Sequence, residues 1–255
     1  MEQKLILKDK NYITYKTFNF DTENRYNFEV LNIHGFASSM ESKKSTFIEV
    51  FCQKNKIDLI KFNLSGHGTS SGELIDFTLS DWIENTLEII RQCSKKKILI
   101  FCSSIGAWIG FITALKAKEK ICGIVACAPA LDFVNDYLEP CLSKNDKTKD
   151  IVFSLTLKDL KTLIITKKFY NDSQQYHILD DRIDLNIPIR LIHGGNDDII
   201  NFNTSVKIFR LLNCDDVNLT LIKDARHNLT RGSDLRQINT ALLDVVNVLD
   251  KSELL

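Results

Sequence analysis

The stretch Lys97-Ile98-Leu99-Ile100-Phe101-Cys102-Ser103-Ser104-Ile105-Gly106-Ala107-Trp108 limits what this chain can fold into more than any other. Residues 98 to 101 favour β structure and form an apolar run suited to a buried strand. Small residues then crowd together, and Ile105, Trp108, Ile109, Ile112 and Leu115 recur at the spacing of one helical face. A strand that turns abruptly into a helix with a serine at the apex is a nucleophile elbow. The turn lifts the Ser104 hydroxyl clear of a sheet, and the helix behind it aims backbone N–H groups at the same point. The usual pattern is G-x-S-x-G; here it is Cys102-x-Ser104-x-Gly106. A small residue is required at the first position because strand and helix approach closely there, and cysteine is small.

The rest of the chain supplies a sheet for such an elbow. Strands are predicted at Tyr12 to Phe20 (an edge strand), Asn27 to Ile33, Ile57 to Phe62, Ile121 to Cys127, Ile189 to Ile192 and Val217 to Ile222. Helices alternate with them, the clearest following Leu79, Trp82, Ile83, Thr86, Leu87 and Ile90. Continuous apolar strands separated by helices imply an α/β fold whose mostly parallel central sheet is covered on both faces. With 255 residues, a single domain spanning 1–255 can bury one substantial core. One segment breaks the alternation. Residues 131–186 are read as an inserted, mainly helical lid, with Leu157, Leu160, Leu163 and Ile164 at helical spacing and a further helix near Gln174 to Leu179.

Several function classes are excluded. Lys plus Arg and Asp plus Glu both number 33, giving no net charge. A nucleic-acid partner calls for a basic stripe, which this chain lacks. No apolar run reaches the roughly 20 residues of a membrane span, so no stable membrane insertion is expected. The first residues have no signal-peptide apolar region. Seven scattered cysteines read as reduced, buried thiols. Together these lead to the expectation of a cytoplasmic protein. No H-E-x-x-H or clustered His/Cys set is present, so no metal is expected. Gly66-His67-Gly68 lacks the third glycine of a dinucleotide fingerprint, since Ser71 stands there; it reads as a structural loop, and no cofactor is expected.

A serine hydroxyl becomes a nucleophile when a base takes its proton, and histidine is suited to that work near neutral pH. Of five histidines, His227 is the one between the last strand and the last helix. The base needs a carboxylate to fix its tautomer and stabilise the imidazolium. Asp197, after the strand ending in His193, is the favoured acid; its neighbour Asp198 and the more distant Asp132 are the alternatives. Backbone N–H groups of Ile105 and Phe36 are the expected oxyanion donors.

His34-Gly35-Phe36, the run from Phe62 to Gly72, the Ser104 elbow, Asp197 and His227 together resemble the α/β-hydrolase superfamily, over roughly Phe28 to Val246. The nucleophile–acid–histidine order is that family's. Ser103-Ser104 followed by Trp108, and the paired aspartates before Ile199-Ile200, are similar to the acyl-protein thioesterase and acyl-glucuronide esterase branch, which includes mitochondrial-depalmitoylase-like enzymes. The resemblance implies hydrolysis of esters or thioesters of medium to long acyl groups. Phe133, Val134, Tyr137 and Leu138 are the expected cover of an apolar acyl pocket. The expected partner is therefore a small-molecule or acylated substrate, acted on by a monomer or homodimer. A serine aminopeptidase-like or lipase-like hydrolase, and a non-enzymatic binding protein of the same fold, are the rival readings. A peptidase needs an acid for the substrate amine, for which Asp150, Asp159 and Asp172 are available.

Overall fold

A computed structural model describes residues 1–8, 10–134, 151–156 and 162–252. An eight-stranded sheet runs in the order β1-β2-β4-β3-β5-β6-β9-β10. Its strands are β1 (Gln3–Ile6), β2 (Tyr12–Phe18), β3 (Phe28–Ile33), β4 (Leu59–Phe62), β5 (Lys97–Ser103), β6 (Ile121–Cys127), β9 (Ile189–Gly194) and β10 (Val217–Ile222). All are parallel from β4 to β10; β2 is antiparallel to both β1 and β4. The chain is thus an α/β protein with a mostly parallel sheet. One correction concerns β2, which is not an edge strand. The short β1 pairs with it outside, and Leu5 of β1 reaches the core.

The helices divide between the faces as strand alternation dictates. Along β5, Ile98, Ile100 and Cys102 face one side, where α2 (Leu79–Cys93) and α3 (Ile105–Lys116) pack. Leu99 and Phe101 face the other, against α1 (Lys43–Asn55) and the C-terminal helix α6 (Gly232–Ser252). Every residue of α3 from Ile105 to Ala114 is buried. A helix apolar all round belongs inside a protein, and α3 lies behind the central strand.

The described part of the 131–186 insertion departs from the helical reading. Strands β7 (Ile151–Thr156) and β8 (Thr162–Thr166) form a separate antiparallel hairpin, so Leu163 and Ile164 lie in a strand. The segments IVFSLT and TLIIT are rich in β-branched residues, and that preference outweighs a short helical spacing. Helix α4 (Lys167–Ser173) follows, then a single 3₁₀ turn, Gln174–Tyr176, in place of the longer helix. Residues Leu157, Leu160, Tyr137, Leu138, Asp150 and Asp159 lie outside the described residues. Helix α5 (Asn203–Leu211) connects β9 to β10.

Candidate active site

The loops that follow β3, β5, β9 and β10 leave the sheet at the carboxyl ends of its parallel strands, where ligands bind in open α/β sheets. Ser104 occupies the apex after β5 with φ 55° and ψ −127°. Such backbone is costly for a non-glycine residue and persists only where the surroundings fix it. Here Ser104 N–H donates to Cys127 O at 2.9 Å, and Ser104 O accepts from the N–H groups of Ala107 (2.9 Å) and Ala130 (3.2 Å). At Gly106 a Cβ would stand 2.4 Å from His34 O and 2.7 Å from Ile33 O, so the helix can pass the end of β3 only without a side chain there.

Cys102, in the place of the first elbow glycine, is fully buried. Its side chain has room because the residue opposite on α3 is Gly110. A Cβ on Gly110 would lie 3.3 Å from Cys102 Sγ and 3.2 Å from Ile100 Cγ2. The small residue that close packing demands has moved from the strand to the helix.

Three side chains distant in sequence form one hydrogen-bonded line. His227 Nε2 lies 3.0 Å from Ser104 Oγ, and His227 Nδ1 lies 2.8 Å from Asp197 Oδ2. With Nδ1–H donating to the carboxylate, Nε2 is left to accept the serine hydroxyl. The loops bearing Asp197 and His227 are packed backbone to backbone. Asn196 N–H donates to Ala225 O and Gly195 N–H to Ile222 O, at 2.9 and 2.8 Å. A Cβ on Gly194 would be 2.3 Å from Ala225 O, so this close approach requires glycine.

The Asp197 carboxylate is wholly enclosed, yet it accepts from four donors. Oδ1 takes the N–H groups of Ile199 and Ile200, both at 2.9 Å; Oδ2 takes His227 and also His193 Nε2, at 3.0 Å. Burial alone would raise its pKa, but the hydrogen bonds from His193 and His227 and the positive character of His227 outweigh it. The carboxyl is held well below the usual carboxylate range. His193 was not singled out for the site in the sequence. Its ring is fully buried, with Nδ1 2.7 Å from Ser205 Oγ. The signal was its position four residues before the acid, at the end of the same strand.

The alternative acids stand elsewhere. Asp198 is exposed. Asp132 accepts the N–H groups of Ile178 and Leu179 through Oδ2, at 2.9 and 2.8 Å, fastening the end of the insertion. Burial pushes its pKa up, against the lowering effect of those two bonds. Asp172 is bound through both oxygens to Ser80, at the N-terminal turn of α2. Phe133 is nearly buried and meets Trp108 edge-on, with ring centroids 6.0 Å apart; Val134 is fully buried in the same cluster.

Ile105 is the first residue of α3, adjoining Ser104. Phe36 follows Gly35, whose Cβ would touch Ser104 Cβ and Ser103 O, both at 3.2 Å, so the loop after β3 lies against the elbow. Two further imidazoles adjoin that loop. His34 and His67 are buried, with ring centroids 4.9 Å apart. Burial, with the neighbouring His67, pushes the His34 pKa down to about 3. Burial likewise pushes His67 down to about 4.

A family model described as serine aminopeptidase, S33, matches residues 27–175. The human protein named "Palmitoyl-protein thioesterase ABHD10, mitochondrial" is 27% identical over 224 residues, covering 86% of this chain and 73% of that protein. Among solved structures, alpha/beta hydrolase domain-containing protein 10 from mouse superposes with a TM-score of 0.88 at 23% identity, covering 98% of this chain and 99% of that one. Est1E from Butyrivibrio proteoclasticus, with ferulic acid bound, gives 0.79 at 19% identity over 96% and 99%.

Proposed function

The chain belongs to the serine aminopeptidase S33 family of α/β-hydrolases, as an enzyme of the esterase and thioesterase kind, and on that premise we propose that it cleaves fatty-acyl thioesters and esters with Ser104 as nucleophile. The observation that carries the reading is the unbroken line from Ser104 Oγ through His227 to Asp197.

In the proposed reaction, His227 Nε2 removes the Ser104 proton as the oxygen attacks the acyl carbonyl. Asp197, kept ionised by its donors, stabilises the imidazolium and fixes its tautomer. The N–H groups of Ile105 and Phe36 receive the oxyanion. Collapse of the tetrahedral intermediate expels the thiolate or alkoxide, which takes the proton from His227. Water activated by the same ring then hydrolyses the acyl-enzyme and restores Ser104. Acyl recognition is assigned to the segment that begins at Phe133 and Val134, packed beside Trp108, and continues through Tyr137 and Leu138. We also propose that the chain works in the cytoplasm, where the thiols of Cys52, Cys93, Cys102, Cys127 and Cys214 stay reduced; the human relative is mitochondrial by name. Among the described residues, no helix is long and apolar enough to cross a membrane.

An aminopeptidase reading has the family description behind it, but the carboxylate offered for the amine in the described part of the insertion, Asp172, is engaged by Ser80. Labelling with a fluorophosphonate, then turnover of a matched panel of acyl thioester, ester and aminoacyl amide substrates, tests the proposal. Labelling lost in Ser104→Ala, with thioester and ester turnover exceeding amide turnover, is the expected result. Preferential turnover of the aminoacyl amides would move the assignment to a peptidase. Absence of labelling in the wild-type protein would leave a binding protein of hydrolase fold.

A further inference from the structure

We propose that His67 is a positioning residue for the oxyanion loop, its Nε2 lone pair holding Ala37 N–H and thereby aiming the neighbouring Phe36 N–H at the carbonyl attacked by Ser104. The assignment rests on the reading of Ser104 as nucleophile.

The loop after β3 needs a restraint. Ala37 has φ 49°, left-handed backbone that a residue with a Cβ adopts at a cost. Ala37 N–H donates to His67 Nε2 at 3.2 Å. His67 Nδ1 lies 3.1 Å from Ser65 O, an acceptor only, so Nδ1 carries the proton and Nε2 keeps its lone pair. The ring's enclosure keeps it uncharged at neutral pH, and an imidazolium has no lone pair with which to hold Ala37.

The ring itself is fixed from three sides. Trp82 meets it edge-on at 5.2 Å between centroids, Phe36 at 6.0 Å, and His34 is tilted against it at 4.9 Å. Its own loop is shaped by Gly66 and Gly68, both at positive φ. A Cβ at Gly68 would stand 2.5 Å from Asn63 Nδ2, and Asn63 Oδ1 accepts Met40 N–H at 2.8 Å, a second hold farther along the segment after β3. The loop that superficially matched a dinucleotide motif therefore clamps the backbone beside the nucleophile.

Two substitutions separate the acceptor from the ring. His67→Phe keeps an aromatic ring for Trp82 and Phe36 but offers no lone pair; His67→Gln offers an amide oxygen at similar reach. Each is compared with wild type for kcat and KM on a short-chain p-nitrophenyl ester. The inhibition constant of an alkyl trifluoromethyl ketone is measured in parallel, since its serine adduct places an oxyanion where the substrate's would form. In His67→Phe, kcat should fall on the order of ten- to a hundredfold with KM within about twofold, because misplacing one donor forfeits part of what removing it would. The ketone should weaken by a matching factor, and His67→Gln should regain most of both. Equal losses in Phe and Gln, a ketone constant that does not move, or an unimpaired His67→Phe enzyme would each overturn the role. If the wild-type protein neither turns over ester nor takes the fluorophosphonate label, the nucleophile reading fails and this role fails with it; an active wild type with an unimpaired His67→Phe removes the positioning role alone.

Discussion

Cys102 and Gly110 make a sharp test of how the altered elbow is tolerated. In Gly110→Ala the new methyl would sit 3.3 Å from Cys102 Sγ and 3.2 Å from Ile100 Cγ2, where ordinary contacts between carbon atoms fall at about 3.5 to 4.0 Å. Helix propensity favours alanine by about 1 kcal/mol, while overpacking a core costs about 1 to 3 kcal/mol. The net expectation is a loss of about 1 kcal/mol. Cys102→Gly removes a fully buried side chain and loosens strand backbone. Counting the buried methylene and the thiol at about 0.8 kcal/mol each and glycine in a strand at about 0.5 to 1 kcal/mol, the loss is about 2 kcal/mol. In the double variant the alanine methyl occupies space vacated by the thiol, leaving only the Ile100 contact tight. Its loss should therefore be about 2 kcal/mol, not the additive 3, a coupling of about 1 kcal/mol. Urea unfolding of the four proteins at pH 7, with midpoints compared at a common slope, measures each corner of the cycle. Strict additivity would refute the claim that the helix glycine compensates for the strand cysteine.

Other perturbations report on the buried titratable groups. Asp197→Asn should lower kcat by about four orders of magnitude, the scale of the same change in serine proteases, because the amide lets His227 take the wrong tautomer; a loss under tenfold would move the orienting role elsewhere. His193→Leu removes one of four donors from the enclosed carboxylate, at about 1 to 3 kcal/mol of stability, while retaining more kcat than Asp197→Asn; equal kcat losses would argue against a supporting role. His34 and His67 have folded pKa values of about 3 and about 4 against 6.5 in the unfolded chain. As pH falls below 6.5 the unfolded chain takes up protons first, so stability declines until the folded rings protonate. From pH 7 to pH 5 each ring should cost about 2 kcal/mol, with a combined loss of about 3 to 4 kcal/mol for two rings in contact. Urea midpoints that do not change over this interval would contradict their enclosure.

The sheet was readable because its strands are short apolar or alternating runs rich in β-favouring residues, each bounded by small or polar residues. Ile121 to Cys127 and Val217 to Ile222 match β6 and β10 end for end. The insertion was harder to read, since β-branched segments can satisfy two periods over a few residues, and in β7 and β8 the strand preference prevails. The β2 assignment failed differently. Alternation tells that one face is solvated, but not which strand pairs outside it. For the candidate site, the chain order of Ser104, Asp197 and His227 was visible, and the structure brings these three within hydrogen-bonding reach.

The supporting residues were hidden for a different reason. His34 and His67 read as isolated polar residues at a strand end and in a glycine-rich loop, and His193 is marked only by its place four residues before Asp197. His34 accepts Leu64 N–H and His67 accepts Ala37 N–H, backbone donors distant in sequence, while His193 joins Asp197 Oδ2, Ser205 Oγ and Ile200 O. Backbone groups leave no trace in residue identity, so recognition of this kind is set by the three-dimensional fold alone. Cys102 belongs to the same class, because its tolerance is set by the empty side of Gly110, eight positions on and one layer away. A departure from a motif is thus judged by the space opposite it, and a buried histidine by the backbone it holds.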